Sequence, residues 1–347
     1  MAESVRLNPS AFLSMGRNSV RDICWLGWSA SSLSFRTTAG HIVFRLCTDA
    51  KLLENPFLCR AAVLVDDAMR EDFLLCGDRD VTLRLDGQEH TVTLAKLSEA
   101  AFGSLGVREI LSDSGDVRPT EPSCRAIEFI GDSITCGYGV DAAAEDTFST
   151  HTENALSAYA YLTAKALNAS YSLVSWSGIG IISDWVPDTA QEPDTTILMP
   201  DLYPEENRRL SERLSEKSAP YAFEKHPADL VVVNLGTNDQ SYVRSLSDRE
   251  AHFEREYGAF LDKIASLRPG TPILCTLGIM GTSLCPAVKR AVEAFGNRHP
   301  DTKCDFFPFP EQVPSDGLGA DFHPSRVTQQ KAAALLSGKI REWMNWR

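Results

Sequence analysis

The sequence predicts an α/β protein in two parts: an all-β sandwich, then a parallel sheet with helices on both faces. Three observations predict it. Between residues 21 and 113 apolar side chains recur with period two. From residue 126 onward short apolar runs alternate with helix-period stripes. Between these halves, residues 112–123 (SDSGDVRPTEPS) are rich in Gly, Pro, Ser and Asp and read as a linker. At 347 residues the chain is long enough for two domains, and the change of rhythm divides it into 1–122 and 123–347.

In the first half, Ile42, Phe44 and Leu46 alternate with Val43, Arg45 and Cys47. Val81, Leu83 and Leu85 alternate with Thr82, Arg84 and Asp86, and after Asp86-Gly87 the alternation resumes at Val92 and Leu94. An Asp-Gly turn between alternating runs predicts a hairpin. In the second half, residues 126–130, 172–175, 230–235, 273–277 and 304–307 read as strands. The run at 230–235 (LVVVNL) is apolar almost throughout, as expected of a strand buried on both faces. Residues 158–167 and 287–295 read as helices. Phe253, Tyr257, Phe260, Ile264 and Leu267 recur at spacings of three and four, a third helix. Pro324-Ser325 opens the last helix, with Leu336, Ile340, Trp343 and Met344 on one side. Residues 185–227 stand apart: rich in proline, with a charged helical piece at 205–217, they read as a long functional or irregular insertion.

The charge balance is 34 Lys and Arg against 47 Asp and Glu, a net of −13. A chain this acidic is a poor partner for phosphate backbones or anionic membranes, so neither nucleic acid nor membrane is expected as a partner. Nine cysteines, an odd number without Cys-x-x-Cys spacing, exclude a zinc ribbon and predict free thiols. The opening residues have no long apolar core, and no apolar run reaches about 18 residues. Together these features predict a cytoplasmic protein, or a secreted one if a leader has been removed from the sequence.

Four blocks carry chemistry. The strand at 126–130 runs into Gly131-Asp132-Ser133, where loops after parallel strands line a crevice; Ser133 is therefore either a nucleophile or a cap. Ser175-Trp176-Ser177-Gly178 follows the second strand, and a glycine there can turn its N–H into a site. Gly236-Thr237-Asn238-Asp239 closes the most buried strand, where the Asn238 amide is an oxyanion donor or a turn former. Asp321-Phe322-His323-Pro324 precedes the last helix. Of the prolyl-preceding histidines (His226, His299, His323), only His323 follows the last strand with an acid beside it.

In this order the blocks resemble those of the SGNH (GDSL-like) hydrolases, with Ser133, Gly178, Asn238 and His323 matching. With the N-terminal sandwich and the segments GDSITCGYG, SWSGIG, MPDLYP and VVVNLGTND, the chain is more narrowly similar to carbohydrate esterase family 2. The resemblance implies a flavodoxin-like catalytic domain preceded by a jelly-roll-like sandwich that contacts carbohydrate. It also implies removal of O-acetyl groups from xylan- or glucomannan-type carbohydrates. Ser133 would attack the ester, His323 would shuttle the proton, and the Ser133 N–H, Gly178 N–H and Asn238 amide would hold the oxyanion. No metal or cofactor is implied, and an acetylated carbohydrate is the expected partner.

One position departs from the pattern. The acid of these enzymes usually lies three residues before the histidine, and that position is Ala320. Either Asp321 reaches the imidazole, or a backbone carbonyl holds it as in some family 2 esterases. Trp176, Tyr203 and Phe322 are candidate sugar contacts, with Trp185 nearby in sequence; aromatic rings also simply fill cores. Two other activities remain open: a lipase-like or thioester acylhydrolase, and a non-catalytic glycan-binding protein.

Overall fold

The computed structural model describes residues 5–6, 11–49, 57–114 and 116–346; part of the stretch read for a leader lies outside them. The N-terminal part is built from β1 (Val5–Arg6), β2 (Leu13–Met15), β3 (Asn18–Val20), β4 (Cys24–Leu26), β5 (Ser32–Thr37), β6 (His41–Thr48), β7 (Cys59–Val65), β8 (Ala68–Leu75), β9 (Arg79–Arg84), β10 (His90–Lys96), β11 (Leu105–Ser112) and β12 (Val117–Pro119). They form two antiparallel sheets, ordered β3-β4-β11-β6-β9 and β12-β5-β10-β7-β8, with β1 and β2 added at β11 and β5. The sheets face each other across one apolar core, to which Ile42, Phe44 and Leu46 contribute from one side and Phe35, Val63 and Val92 from the other. The alternation read in β6 is thus its inward face.

Two expectations fail here. The Asp86-Gly87 turn does not close a hairpin: β9 pairs with β6 and β10 with β5 and β7, so the turn carries the chain from one sheet to the other. Asp86 is committed to His90, whose Nε2 lies 2.9 Å from its carboxylate. The tight hairpin is β7–β8, where Val65 faces Ala68 across Asp66 and Asp67 at φ 52° and 64°. Two left-handed residues make the turn whose twist suits paired strands, and aspartate tolerates that conformation. Nor is the stretch 112–123 only a linker, because β12 lies within it and borders β5.

The C-terminal part comprises β13 (Ala126–Gly131), α1 (Ser133–Cys136), α2 (Tyr159–Ala166), β14 (Ser170–Ser175), α3 (Met199–Leu202), α4 (Arg208–Arg213), β15 (Leu230–Asn234), α5 (Asp239–Val243), α6 (Ser247–Leu267), β16 (Ile273–Ile279), α7 (Cys285–Arg298), β17 (Cys304–Glu311) and α8 (Arg326–Met344). The strands are parallel in the order β14-β13-β15-β16-β17, the flavodoxin-like arrangement. β15 is buried along its whole length, as its valines require. Residues of α6 and α7 pack on one face of the sheet, those of α2 and α8 on the other. Ser325 caps α8 by accepting the Thr328 N–H, and Asn345 ends it in the left-handed conformation. The order reverses at β13, so the crevice opens where Ser133 begins α1.

The insertion at 185–227 is folded rather than loose. Met199, Leu202, Tyr203 and Leu210 are fully buried. Its anchor is a charged cluster on the sheet face. Glu128 of β13 accepts from Arg17 at 3.0 Å, Arg268 at 2.8 Å and the Tyr203 hydroxyl at 2.7 Å. Arg17 also donates to the Tyr203 carbonyl at 2.6 Å. Burial alone would raise the Glu128 carboxyl, but the two guanidiniums hold it down to about 2. Three segments far apart in sequence thus meet at one carboxylate. Removing one partner of a buried ionic cluster leaves charge uncompensated at a cost of about 3–5 kcal/mol. Glu128→Gln is therefore expected to destabilise the protein by that amount in urea denaturation at neutral pH. A carboxyl held low contributes stability above its ordinary value near 4.5 and loses it as the pH falls toward about 2, so the gap between variant and parent should close over that interval.

Candidate active site

The site is assembled at the C-terminal ends of the first three strands. Past β13, Asp132 accepts the Ile134 N–H at 3.0 Å and caps the short helix α1. This fixes Ser133 at its first position. The Asp132 carboxyl is fully enclosed, and burial pushes it up to about 7. Ser133 Oγ lies 3.0 Å from His323 Nε2, within reach for direct proton transfer.

The other imidazole nitrogen decides how His323 is held. Nδ1 faces two main-chain oxygens, Ala320 O at 3.2 Å and Asp321 O at 3.3 Å. The Asp321 carboxylate points elsewhere and accepts from the Tyr138 hydroxyl at 2.8 Å. The Tyr138 ring stacks on the imidazole, with centroids 4.1 Å apart, and on Phe148 at 3.9 Å. The turn before His323 puts Asp321 and Phe322 at φ 50° and 62°, a left-handed pair that costs of order 1–3 kcal/mol per residue unless its surroundings enforce it. The Tyr138 bond to Asp321 is one such restraint. Ala320 is fully buried, and its main-chain N–H donates to Gly139 O at 3.0 Å. A Cβ on Gly139, itself at φ +57°, would stand 2.5 Å from the Ala320 methyl. The position of the usual acid is therefore taken by a buried methyl packed against Gly139.

Gly178 follows β14 at φ +82°, a conformation that favours glycine. Among the described residues, neither its N–H nor that of Ser133 has a partner within the chain. The Asn238 amide donates to Ile179 O at 2.9 Å, which leaves its second N–H for a ligand. Below it, Asp239 accepts the N–H groups of Ile181, Ile182 and Ser183 at 2.9, 2.7 and 3.3 Å. Burial nonetheless pushes its carboxyl up to about 6. Asp239 thereby pins the loop that carries Gly178. Ser133, Gly178, Asn238 and His323 line one cleft of about 960 Å³, together with Tyr138, Trp185, Arg244 and Met280.

The profile of the GDSL-like lipase/acylhydrolase family matches residues 129–331. The chain belongs to that family. It is 35% identical over 263 residues to the cellulase/esterase CelE of Acetivibrio thermocellus, covering 74% of this chain but only 30% of CelE. It is 27% identical to an acetylxylan esterase/glucomannan deacetylase of Cellvibrio japonicus, covering 74% of this chain and 68% of that protein. Among solved structures, a family two carbohydrate esterase from Clostridium thermocellum in complex with cellohexaose superposes with a TM-score of 0.82. The two are 29% identical, and the match covers 97% of this chain and 100% of that one.

Within this GDSL-like hydrolase, the remaining candidates separate. Tyr203 is not at the cleft; its hydroxyl is committed to Glu128 in the core. Trp176 packs against the core on the α6 side and does not line the cleft. Phe322 is 63% exposed, next to His323 in the chain but outside the cleft lining. Of the rings lining the cleft besides His323, Tyr138 is stacked on the imidazole, and Trp185 is 60% exposed. Among the described residues the group with metal-ligand proximity is Glu99, Cys136 and Glu153. One oxygen of each carboxylate is already engaged: Glu99 Oε2 accepts from the Ser177 N–H and the Cys136 thiol, and Glu153 Oε2 from the Glu99 N–H, while buried Lys96 donates to the Glu99 main-chain carbonyl. Tyr138, Asp239 and Glu99 were missed as site residues. The first two lie inside the sequence blocks and show no sign of their partners; Glu99 comes from the sandwich.

Two outcomes follow from the His323 geometry. Asp321→Asn should lower kcat/KM by less than about tenfold, against a loss on the order of 10⁴ where a carboxylate holds the imidazole; steady-state kinetics on p-nitrophenyl acetate distinguish these. Burial lowers the His323 pKa from its ordinary value, while the carbonyls of Asp321 and Ala320 oppose that shift. Protonation on acidification removes the base, so the acid limb of the kcat/KM profile should have its midpoint below about 6.5. A midpoint above that value contradicts the assignment.

Proposed function

We propose that this chain is a serine esterase that removes O-acetyl groups from carbohydrates. The observation that carries this reading is the contact between Ser133 Oγ and His323 Nε2 at 3.0 Å, beside unpartnered N–H groups. In this reading His323 takes the hydroxyl proton as Ser133 Oγ adds to the ester carbonyl. The N–H groups of Ser133 and Gly178 and the Asn238 amide meet the developing oxyanion. Collapse expels the sugar hydroxyl, to which His323 returns the proton. Water, activated by the same imidazole, then frees acetate from Ser133.

The cleft lining supports a short acyl group and a polar leaving group. Many of the residues beside the Ser–His pair carry hydroxyl, amide or charged groups, such as Ser177, Thr237, Gln240, Ser241 and Arg244. A long acyl chain would need a continuous apolar channel. Trp185 offers a flat face to a sugar ring. Relatives named acetylxylan esterase/glucomannan deacetylase, and a similar esterase bound to cellohexaose, support the substrate class. Against a non-catalytic glycan binder, for which alanine at 320 in place of an acid would argue, stands a carbonyl partner for His323 Nδ1.

No helix of the described residues is long and apolar enough to cross a membrane. All nine cysteines are free thiols, which supports a reducing compartment and, there, acetylated oligosaccharides as substrate.

The test is hydrolysis of p-nitrophenyl esters of increasing acyl length, followed by acetate release from acetylated xylan and glucomannan oligosaccharides. Acetate esters should be preferred, and Ser133→Ala or His323→Ala should abolish turnover. Preference for eight carbons or more would overturn the acetylesterase reading.

A further inference from the structure

One buried carboxylate from the sandwich touches two catalytic loops at once. Glu99 lies just beyond β10 and is 1% exposed. Its Oε2 accepts the Ser177 N–H at 2.6 Å and the Cys136 thiol at 3.0 Å. Cys136 is the last residue of α1, the helix that Ser133 begins. Ser177 immediately precedes Gly178. A single oxygen atom therefore ties the nucleophile helix to the oxyanion loop.

The Glu99 main chain is itself held at both its N–H and its carbonyl. Its N–H donates to Glu153 Oε2 at 3.0 Å, and its carbonyl accepts from the buried Lys96 ammonium at 2.7 Å. The Gly178 loop needs such a peg. Glycine at φ +82° with no atom near its Cβ position is free to rotate away. Downstream the loop is fixed: Trp185 N–H donates to Gly178 O at 2.8 Å, and Asp239 gathers residues 181–183. Upstream, the bond from the Ser177 N–H to Glu99 fixes the Trp176–Ser177 peptide, the unit from which the next peptide, carrying the Gly178 N–H, projects.

We propose that Glu99 is a positioning residue for the oxyanion hole, reaching from the β-sandwich to fix Ser177 and so to aim the Gly178 N–H at the reacting carbonyl. The inference rests on the esterase reading above. It makes the sandwich a working part of the catalytic apparatus, not an appendage to it.

The test compares Glu99→Ala, Glu99→Asp and Glu99→Gln in the full chain on p-nitrophenyl acetate, with Ser133→Ala as the control. Glutamine keeps an acceptor at the same reach and should retain kcat within about threefold. Alanine removes the acceptor and aspartate withdraws it by one methylene; kcat should fall by about 10- to 100-fold in both, with KM within about threefold. If the alanine variant does not fold, the Asp and Gln pair carries the comparison. Equal losses in all three variants, a loss seen in KM alone, or unchanged kcat in the aspartate variant would overturn the inference while leaving the esterase reading intact. Absence of Ser133-dependent hydrolysis in the parent protein would overturn both.

Discussion

The cleft is organised around the protons of one imidazole. For Nε2 to take a proton from Ser133, Nδ1 must carry its own, and a half-buried N–H must find an acceptor. Here the acceptors are the carbonyls of Ala320 and Asp321. A carbonyl fixes tautomer and ring plane as a carboxylate would. It brings no full negative charge to the imidazolium that forms during the reaction, so a charge-assisted bond is exchanged for a neutral one of about half the strength. The left-handed pair Asp321–Phe322, the Tyr138 bond and the ring stacked on His323 all serve that placement. Asp321 contributes through its backbone conformation and its grip on Tyr138, two roles that do not require it to be a base.

Around this centre the helix of Ser133 and the loop of Gly178 are each held at two points by buried carboxylates. Asp132 caps the helix of the nucleophile, Asp239 gathers three amides beneath the oxyanion loop, and Glu99 secures that loop from above. Burial raises all three carboxyls above their ordinary range. Each is shared with main-chain N–H groups, so loop geometry here is set by acceptors in the low-dielectric interior rather than by surface contacts.

What the sequence discloses is what is local. Valine-rich β15 and the three-and-four spacing in α6 announce themselves, because burial on both faces or on one stripe imposes a pattern on neighbours in the chain. The four catalytic blocks are legible for the same reason: three sit directly after a strand, and the fourth lies just before the last helix. Pairing across distance leaves no such trace. Asp86-Gly87 has the chemistry of a hairpin turn, yet β9 and β10 go to different sheets because each finds a better-matched neighbour. Tyr203 reads as a plausible sugar platform until Glu128, 75 residues away, claims its hydroxyl. Glu99 lies 78 residues before Ser177 and nothing in its own segment marks it. Phe322 carries the pattern of an aromatic platform, but its neighbour's carbonyl, not its ring, is the part of that turn that meets the imidazole.

The contact between Ala320 and Gly139 joins the two halves of the Ser–His pair. Ala320 is fully buried, its N–H donates to Gly139 O, and its own carbonyl faces His323 Nδ1. Gly139 lies just past α1, the helix that Ser133 begins. The nucleophile segment and the turn that holds the imidazole therefore share one seam, and a displacement of either is passed to the other.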